Sequence, residues 1–192
     1  MLPLLLASSS SYRRELLTRL RLPFVCASPD LDEARQTNET ATALVLRLAE
    51  QKARALVQQY PGHLIIGSDQ VAALGEQILG KPHDFERAHR QLSNASGKSV
   101  SFLTGLALLN TVTGKCQVDC VPFTVHFREL DAERITRYLH AEQPYDCAGS
   151  FKAEGLGVSL FRATEGSDAT SLVGLPLIRL VDMLLAEGVQ IP

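Results

Sequence analysis

Apolar residues fall along this chain in two rhythms. Residues 3–7, 23–27 and 64–67 are short apolar runs bounded by polar or turn residues. Each predicts a strand, the third buried on both faces. Between them Leu16, Leu17 and Leu20 recur at helical spacing over 12–20, and Leu44, Leu46, Leu48, Ala49, Ala53 and Leu56 over 40–60, where Pro61-Gly62 stops the helix. A polar connector with Pro29, Asp30, Asp32, Glu33 and Asn38 leads into that second helix. Residues 71–79, centred on Gly75-Glu76, predict a hairpin, and 84–92 a helix closed by Asn94 and Gly97. Two long strands follow at 99–109 and 117–127, turning at Thr113-Gly114; in the second, Val121, Phe123, Val125 and Phe127 alternate with other residues. A helix over 131–141 capped by Asp131, a strand over 155–161 and a mostly buried helix over 172–187, with Gly174-Leu175-Pro176 at its start, complete the series. Strand–helix alternation at both ends around a long antiparallel pair predicts a mixed α/β fold. The 192 residues suffice for one domain with a real core or for two small lobes, and no linker, repeat or low-complexity tract marks a boundary.

Charge narrows the partners. Nineteen basic and 21 acidic side chains give a formal charge of −2, so no global field draws in nucleic acid or a membrane surface, and a polyanion must be small and held locally. Trp is absent, which argues against a base-stacking platform for single strands. Cys26, Cys116, Cys120 and Cys147 make no C-x-x-C pair and read as small buried hydrophobes in a reducing compartment. The five histidines make no H-x-x-x-H pair, against a zinc hydrolase. The apolar start is too short for a signal sequence and its arginines follow it, and no run approaches the roughly 20 apolar residues of a membrane span. A cytoplasmic protein is expected, and a homodimer is compatible with its size and apolar content.

Candidate chemistry begins where the first strand runs into Ser8-Ser9-Ser10-Ser11-Tyr12-Arg13-Arg14. Serine hydroxyls, free helix N–H groups and an arginine suit a phosphate. A helix N-cap at Ser11 with solvated arginines explains the same residues; Arg13 and Arg14 sit about 100° apart, so only one of them can face a ligand. Asp69 follows an apolar strand through Gly67 and Ser68, at a strand's carboxyl end where α/β folds place active-site groups. It suits a base or a metal ligand, and equally a turn cap. Asp32 and Glu33 can hold a divalent cation with waters or form a solvated acidic turn. Lys52, beside apolar helix positions, reads as a snorkelling lysine. Gly75 to Lys81 matches the spacing of a P-loop, but Pro82 stands at the magnesium-binding position and the intervening residues read as a strand, so we reject that motif. Lys81 after a hairpin can still neutralise phosphate charge. Residues 148–155 form a small-residue loop in which Glu154 faces a ligand or solvent.

Taken together, Leu6-Ala7-Ser8-Ser9-Ser10-Ser11-Tyr12-Arg13-Arg14, Asp32-Glu33, Lys52-Ala53, Gly67-Ser68-Asp69-Gln70-Val71, Gly80-Lys81-Pro82, Ala148-Gly149-Ser150, Glu154-Gly155 and Val173-Gly174-Leu175-Pro176 closely resemble the Maf family of nucleoside triphosphate pyrophosphatases. The matches span nearly the whole chain in the family's order, as one Maf-like domain over 1–192. The resemblance implies an elongated mixed α/β sheet flanked by helices, with two lobes and a cleft, and hydrolysis of a nucleoside triphosphate to the monophosphate and diphosphate with Mg²⁺ or Mn²⁺. It places Asp69 on the catalytic base, Ser8, Arg13, Lys52 and Lys81 on triphosphate-gripping positions, and Glu33 with Asp69 on the metal. Gln70 and Glu154, where most of the family has Thr and Gln, resemble the branch acting on 7-methyl-GTP. Tyr12 completes the implied base pocket, although Trp is expected there and Pro at Ser11. An N7-methylated guanine is cationic, which suits a carboxylate at Glu154 and an aromatic face at Tyr12. Two alternatives stay open: a pyrophosphatase for dTTP, UTP or other modified nucleotides, and a non-catalytic regulator of septum formation.

Overall fold

Residues 2–191 are described by the computed structural model. In chain order, β1 (Leu4–Ala7), α1 (Ser11–Thr18), β2 (Phe24–Ala27), α2 (Ala41–Ala55) and β3 (Leu64–Leu74) come first. They are followed by β4 (Gln77–Leu79), α3 (Phe85–Ala95), β5 (Ser99–Asn110), β6 (Cys116–Phe127) and α4 (Ala132–Glu142). Short 3₁₀ turns at Ala148–Ser150 and Leu156–Leu160 precede β7 (Phe161–Gly166), α5 (Ala169–Val173) and α6 (Leu177–Ala186). The seven strands form one mixed sheet in the order β2-β1-β3-β5-β6-β7, with β4 paired to β3. This is the mixed α/β architecture that the alternation predicts.

Five expectations are corrected. The apolar run at 64–67 and the first arm of the hairpin are one eleven-residue strand, so Asp69 lies within β3 and not at a strand's carboxyl end. Ser68, Asp69 and Gln70 interrupt the apolar pattern without breaking the strand, because each polar side chain finds a partner. Asp69 does fall between two registers: β3 runs parallel to β1 through Leu6↔Ile66 and pairs antiparallel with β4 from Ala72↔Leu79. The cap of α1 is Ser10, whose hydroxyl accepts from the Arg13 N–H, one residue before the expected Ser11. Residues 156–160 coil as a 3₁₀ turn, so Glu154 precedes that turn and the strand begins at Phe161. The expected last helix is two, broken at Gly174, whose φ of +118° favours glycine. Its second half is not mostly buried, since Ile178 and Leu185 are exposed.

Two compact units divide the chain, the first comprising 2–70, 104–121 and 168–191, the second 71–103 and 122–167. In the first, strand alternation sorts side chains to two faces. Leu4, Leu6, Leu64, Ile66, Leu106 and Leu108 pack with Leu16 and Leu17 of α1 and Leu180, Met183 and Leu184 of α6. Leu5, Ala7, Ile65, Ala107 and Leu109 pack on the other face with Ala49 and Ala53 of α2. Buried Asp168 joins the two last helices: Oδ1 accepts from the Thr170 N–H and hydroxyl at 2.9 and 2.6 Å, and Oδ2 from the Ile178 N–H at 2.8 Å. In the second unit the core is aromatic. Phe151 meets Phe102, Phe127 and Phe161 edge-on at ring separations of 5.1, 5.6 and 4.8 Å, a favoured geometry. Asp84 and Asp131 cap α3 and α4, the latter as expected.

All four cysteines are free and half-buried. Burial pushes Cys116 up to about 11 and Cys147 up to about 12, so neither offers a thiolate near neutrality.

Candidate active site

Helix α2 sits close on the sheet because two strand positions lack side chains. A Cβ at Gly67 would overlap the Ala49 carbonyl oxygen, and one at Gly105 the Val45 carbonyl oxygen. That approach brings Lys52, one turn beyond Ala49, onto β3. Lys52 Nζ donates to Asp69 Oδ1 at 2.7 Å and lies 3.0 Å from Glu33 Oε1. Lys52 and Asp69 side chains are only 9 % and 10 % exposed, whereas Glu33 is 56 % exposed, so the array is a buried pair with an accessible outer carboxylate. Lys52 is therefore a buried ion-pair partner and not the snorkelling lysine its helix position suggests.

The connector carrying Glu33 is pinned to α2 from below. Arg47 grips Glu39 with two bonds, Nε–Oε1 at 2.6 Å and Nη2–Oε2 at 2.8 Å, and donates from Nη2 to the Ala34 carbonyl at 3.1 Å. The Gln36 N–H adds a bond to Glu39 Oε2, and Asp32 Oδ1 accepts from the Ala34 N–H, closing a turn. The Arg47 guanidinium holds the Glu39 carboxyl down to about 2.

Arg13 enters from α1. Its Nε–H donates to the Gly174 carbonyl at 2.8 Å, and its terminal nitrogens make no hydrogen bond among the described residues. Burial lowers the guanidinium pKa, while the charges of Asp69 and Glu33 push the other way; it remains charged. Ser8, buried at the end of β1, accepts the Ser10 N–H at 3.1 Å. Tyr12 is half-buried on α1.

Alternation in β3 sends Ser68 and Gln70 to one side and Asp69 to the other. Gln70 Nε2 donates to Thr104 Oγ1 at 2.9 Å and to the Ser171 and Leu172 carbonyls at 2.6 and 3.2 Å. Its amide is thus committed to β5 and α5. Lys81 and Glu154 belong to the second unit; both are exposed, and neither has an ion pair or hydrogen bond among the described residues. Sequence reasoning missed Ser68, Thr104, Arg47, Glu39 and Asp168. Only Asp168 carried a local signal, an Asp just ahead of a short helical stretch.

Asp69 and Glu33 offer hard oxygen donors drawn to a single ammonium, a donor set that suits Mg²⁺ or Mn²⁺ completed by waters and phosphate oxygens. No group of three or more His, Cys, Asp or Glu placed to hold a metal occurs among the described residues. No helix among them is long and apolar enough to cross a membrane.

A mixed α/β sheet carrying a buried acid–lysine pair, an outer carboxylate and an arginine with free terminal nitrogens defines a class: proteins that handle a small polyanion. The chain belongs to the Maf family, whose model, described as Maf-like protein, matches residues 3–187. A Pseudomonas fluorescens (strain Pf-5) protein named 7-methyl-GTP pyrophosphatase is 77% identical over 192 residues, covering 100% of both chains. A Pseudomonas aeruginosa (strain PAO1) protein of the same name is 72% identical over 189 residues, 98% of each chain. One from Alcanivorax borkumensis (strain SK2), also so named, is 62% identical over 98% of this chain and 96% of its own.

Proposed function

We propose that this protein hydrolyses 7-methyl-GTP to 7-methyl-GMP and diphosphate, clearing a modified nucleotide from the pool. The observation that carries the reading is the single ammonium of Lys52 bound to both Asp69 and Glu33 beside Arg13. Relatives bearing that activity in their names support it.

In this reading Arg13, Lys52 and Lys81 neutralise the triphosphate and Ser8 adds a hydroxyl. Phosphate oxygens compete with Asp69 for Lys52, which frees the carboxylate to take a proton from water as its oxygen attacks the α-phosphorus. The bond from the α-phosphorus to the bridging oxygen breaks and diphosphate leaves. A divalent cation, Mg²⁺ or Mn²⁺, held by Glu33 and Asp69 would supply further charge neutralisation. Glu154 and Tyr12 favour the cationic methylated base, the aromatic face contributing roughly 0.5–2 kcal/mol. Gln70 takes part in that choice by fixing α5. A cytoplasmic location and a homodimer go with this proposal, the latter checked by sedimentation equilibrium.

Diphosphate release from 7-methyl-GTP, GTP, dTTP and UTP tests it. Fastest release from 7-methyl-GTP, abolished in Asp69→Asn, is the expected result. Preference for dTTP or UTP would move the chain to another substrate, and absence of release from every nucleotide would end the enzymatic reading.

A further inference from the structure

Ser68 belongs to none of the roles above, yet it sits beside Asp69 and is completely buried. Its hydroxyl oxygen is 2.9 Å from the Gly105 carbonyl and 2.9 Å from the Gly174 carbonyl. Its one proton serves one of them at a time. The Gly174 carbonyl is also the acceptor for Arg13 Nε–H at 2.8 Å. Gly174 caps α5 in a left-handed conformation, so no regular helical bond orients that carbonyl. A Cβ at Gly174 would stand 3.3 Å from Arg13 Nε, so the missing side chain lets the arginine lie close against this carbonyl.

We propose that Ser68 is a positioning residue for the reaction just proposed: its hydroxyl holds the Gly174 carbonyl, and that carbonyl aims the Arg13 guanidinium, leaving both terminal nitrogens for phosphate. Buried as it is, Ser68 reaches no ligand itself. It acts only through the carbonyls it binds. The same strand thus presents the acid on one side and orients the phosphate-binding arginine from the other. Removing the hydroxyl leaves Arg13 charged but loosely directed, so the loss falls on phosphate binding and is the same for every base.

Ser68→Ala is expected to weaken affinity for inorganic tripolyphosphate by about tenfold, the worth of one hydrogen bond, measured by calorimetry. KM for 7-methyl-GTP and for GTP is expected to rise by the same factor, with their ratio unchanged. In an Arg13→Lys background, which lacks the Nε–H, Ser68→Ala should change tripolyphosphate affinity very little. Additive losses, or a lowered melting temperature with affinity and KM unchanged, would overturn the proposal and leave Ser68 merely structural. If Ser68→Ala does not fold, Ser68→Cys, close in size but with only a weak donor, decides: a loss of tripolyphosphate affinity supports the proposal, and wild-type affinity overturns it. Absence of nucleotide hydrolysis in the wild type would remove the proposed function while the tripolyphosphate calorimetry still decides the part played by Ser68.

Discussion

In the first unit the buried charges are engaged: Lys52 with Asp69 and Glu33, Arg13 with the Gly174 carbonyl, Glu39 with Arg47. In the second unit Lys81 and Glu154 project into solvent, and the internal packing is a cluster of phenylalanines. Burying charge costs desolvation and repays it in fixed geometry, which chemistry at a phosphorus atom needs. Exposed arms carry no such cost but lose rotamer freedom when they engage a ligand. Under the proposed function, the buried acid of the first unit breaks the bond, and the exposed Glu154 of the second unit adds to the choice of base made with Tyr12 and Gln70.

The sharpest way to break this contrast is Asp69→Asn. It keeps the shape of the side chain and should lower diphosphate release by about 10³-fold or more with the far-UV spectrum unchanged. Near-normal turnover would take the chemistry away from the first unit. Next, Lys52→Met leaves Asp69 buried and unpaired and should cost about 3 kcal/mol in urea unfolding. Adding Asp69→Asn to Lys52→Met should recover much of that stability and none of the activity; a double variant as unstable as Lys52→Met alone would show that packing, not charge, dominates. Glu154→Gln should reduce the 7-methyl-GTP over GTP preference by about tenfold, with no measurable change in unfolding, because exposed sites tolerate substitution. A stability loss there would mean that Glu154 is held as firmly as the first unit's charges. The smallest effect is in acid. The folded carboxyl of Glu39 is depressed from an ordinary 4.5 to about 2, so its contribution is complete above about 4.5 and fades as pH falls from there through 2. Hydrogen exchange of residues 32–39 should speed up over that window; a flat profile would remove the Glu39–Arg47 clamp from the account.

Much of this was legible residue by residue. The apolar runs gave β1, β2 and the start of β3, Asp131 marked α4, and the serine–arginine stretch and Asp69 stood out as chemistry. Strand continuity through Ser68-Asp69-Gln70 was not legible, because those three look like a loop until each side chain has a partner from another element. The division of the last helix was half legible: Gly174-Leu175-Pro176 reads as a helix start, but the short helix ahead of it, held by Asp168 bonded across the break to Ile178, shows only in the structure.

Local pattern by itself determined the element types and which residues bear charge or hydroxyls, since periodicity and side-chain chemistry are properties of neighbouring residues. Tertiary structure decided what each charge does. Lys52 and Asp69 are 17 positions apart, and Ser68 and Gly174 106 apart. They meet because Gly67 and Gly105 let a helix backbone lie against the sheet, and a distance set by the absence of two side chains has no signature in the residues that use it.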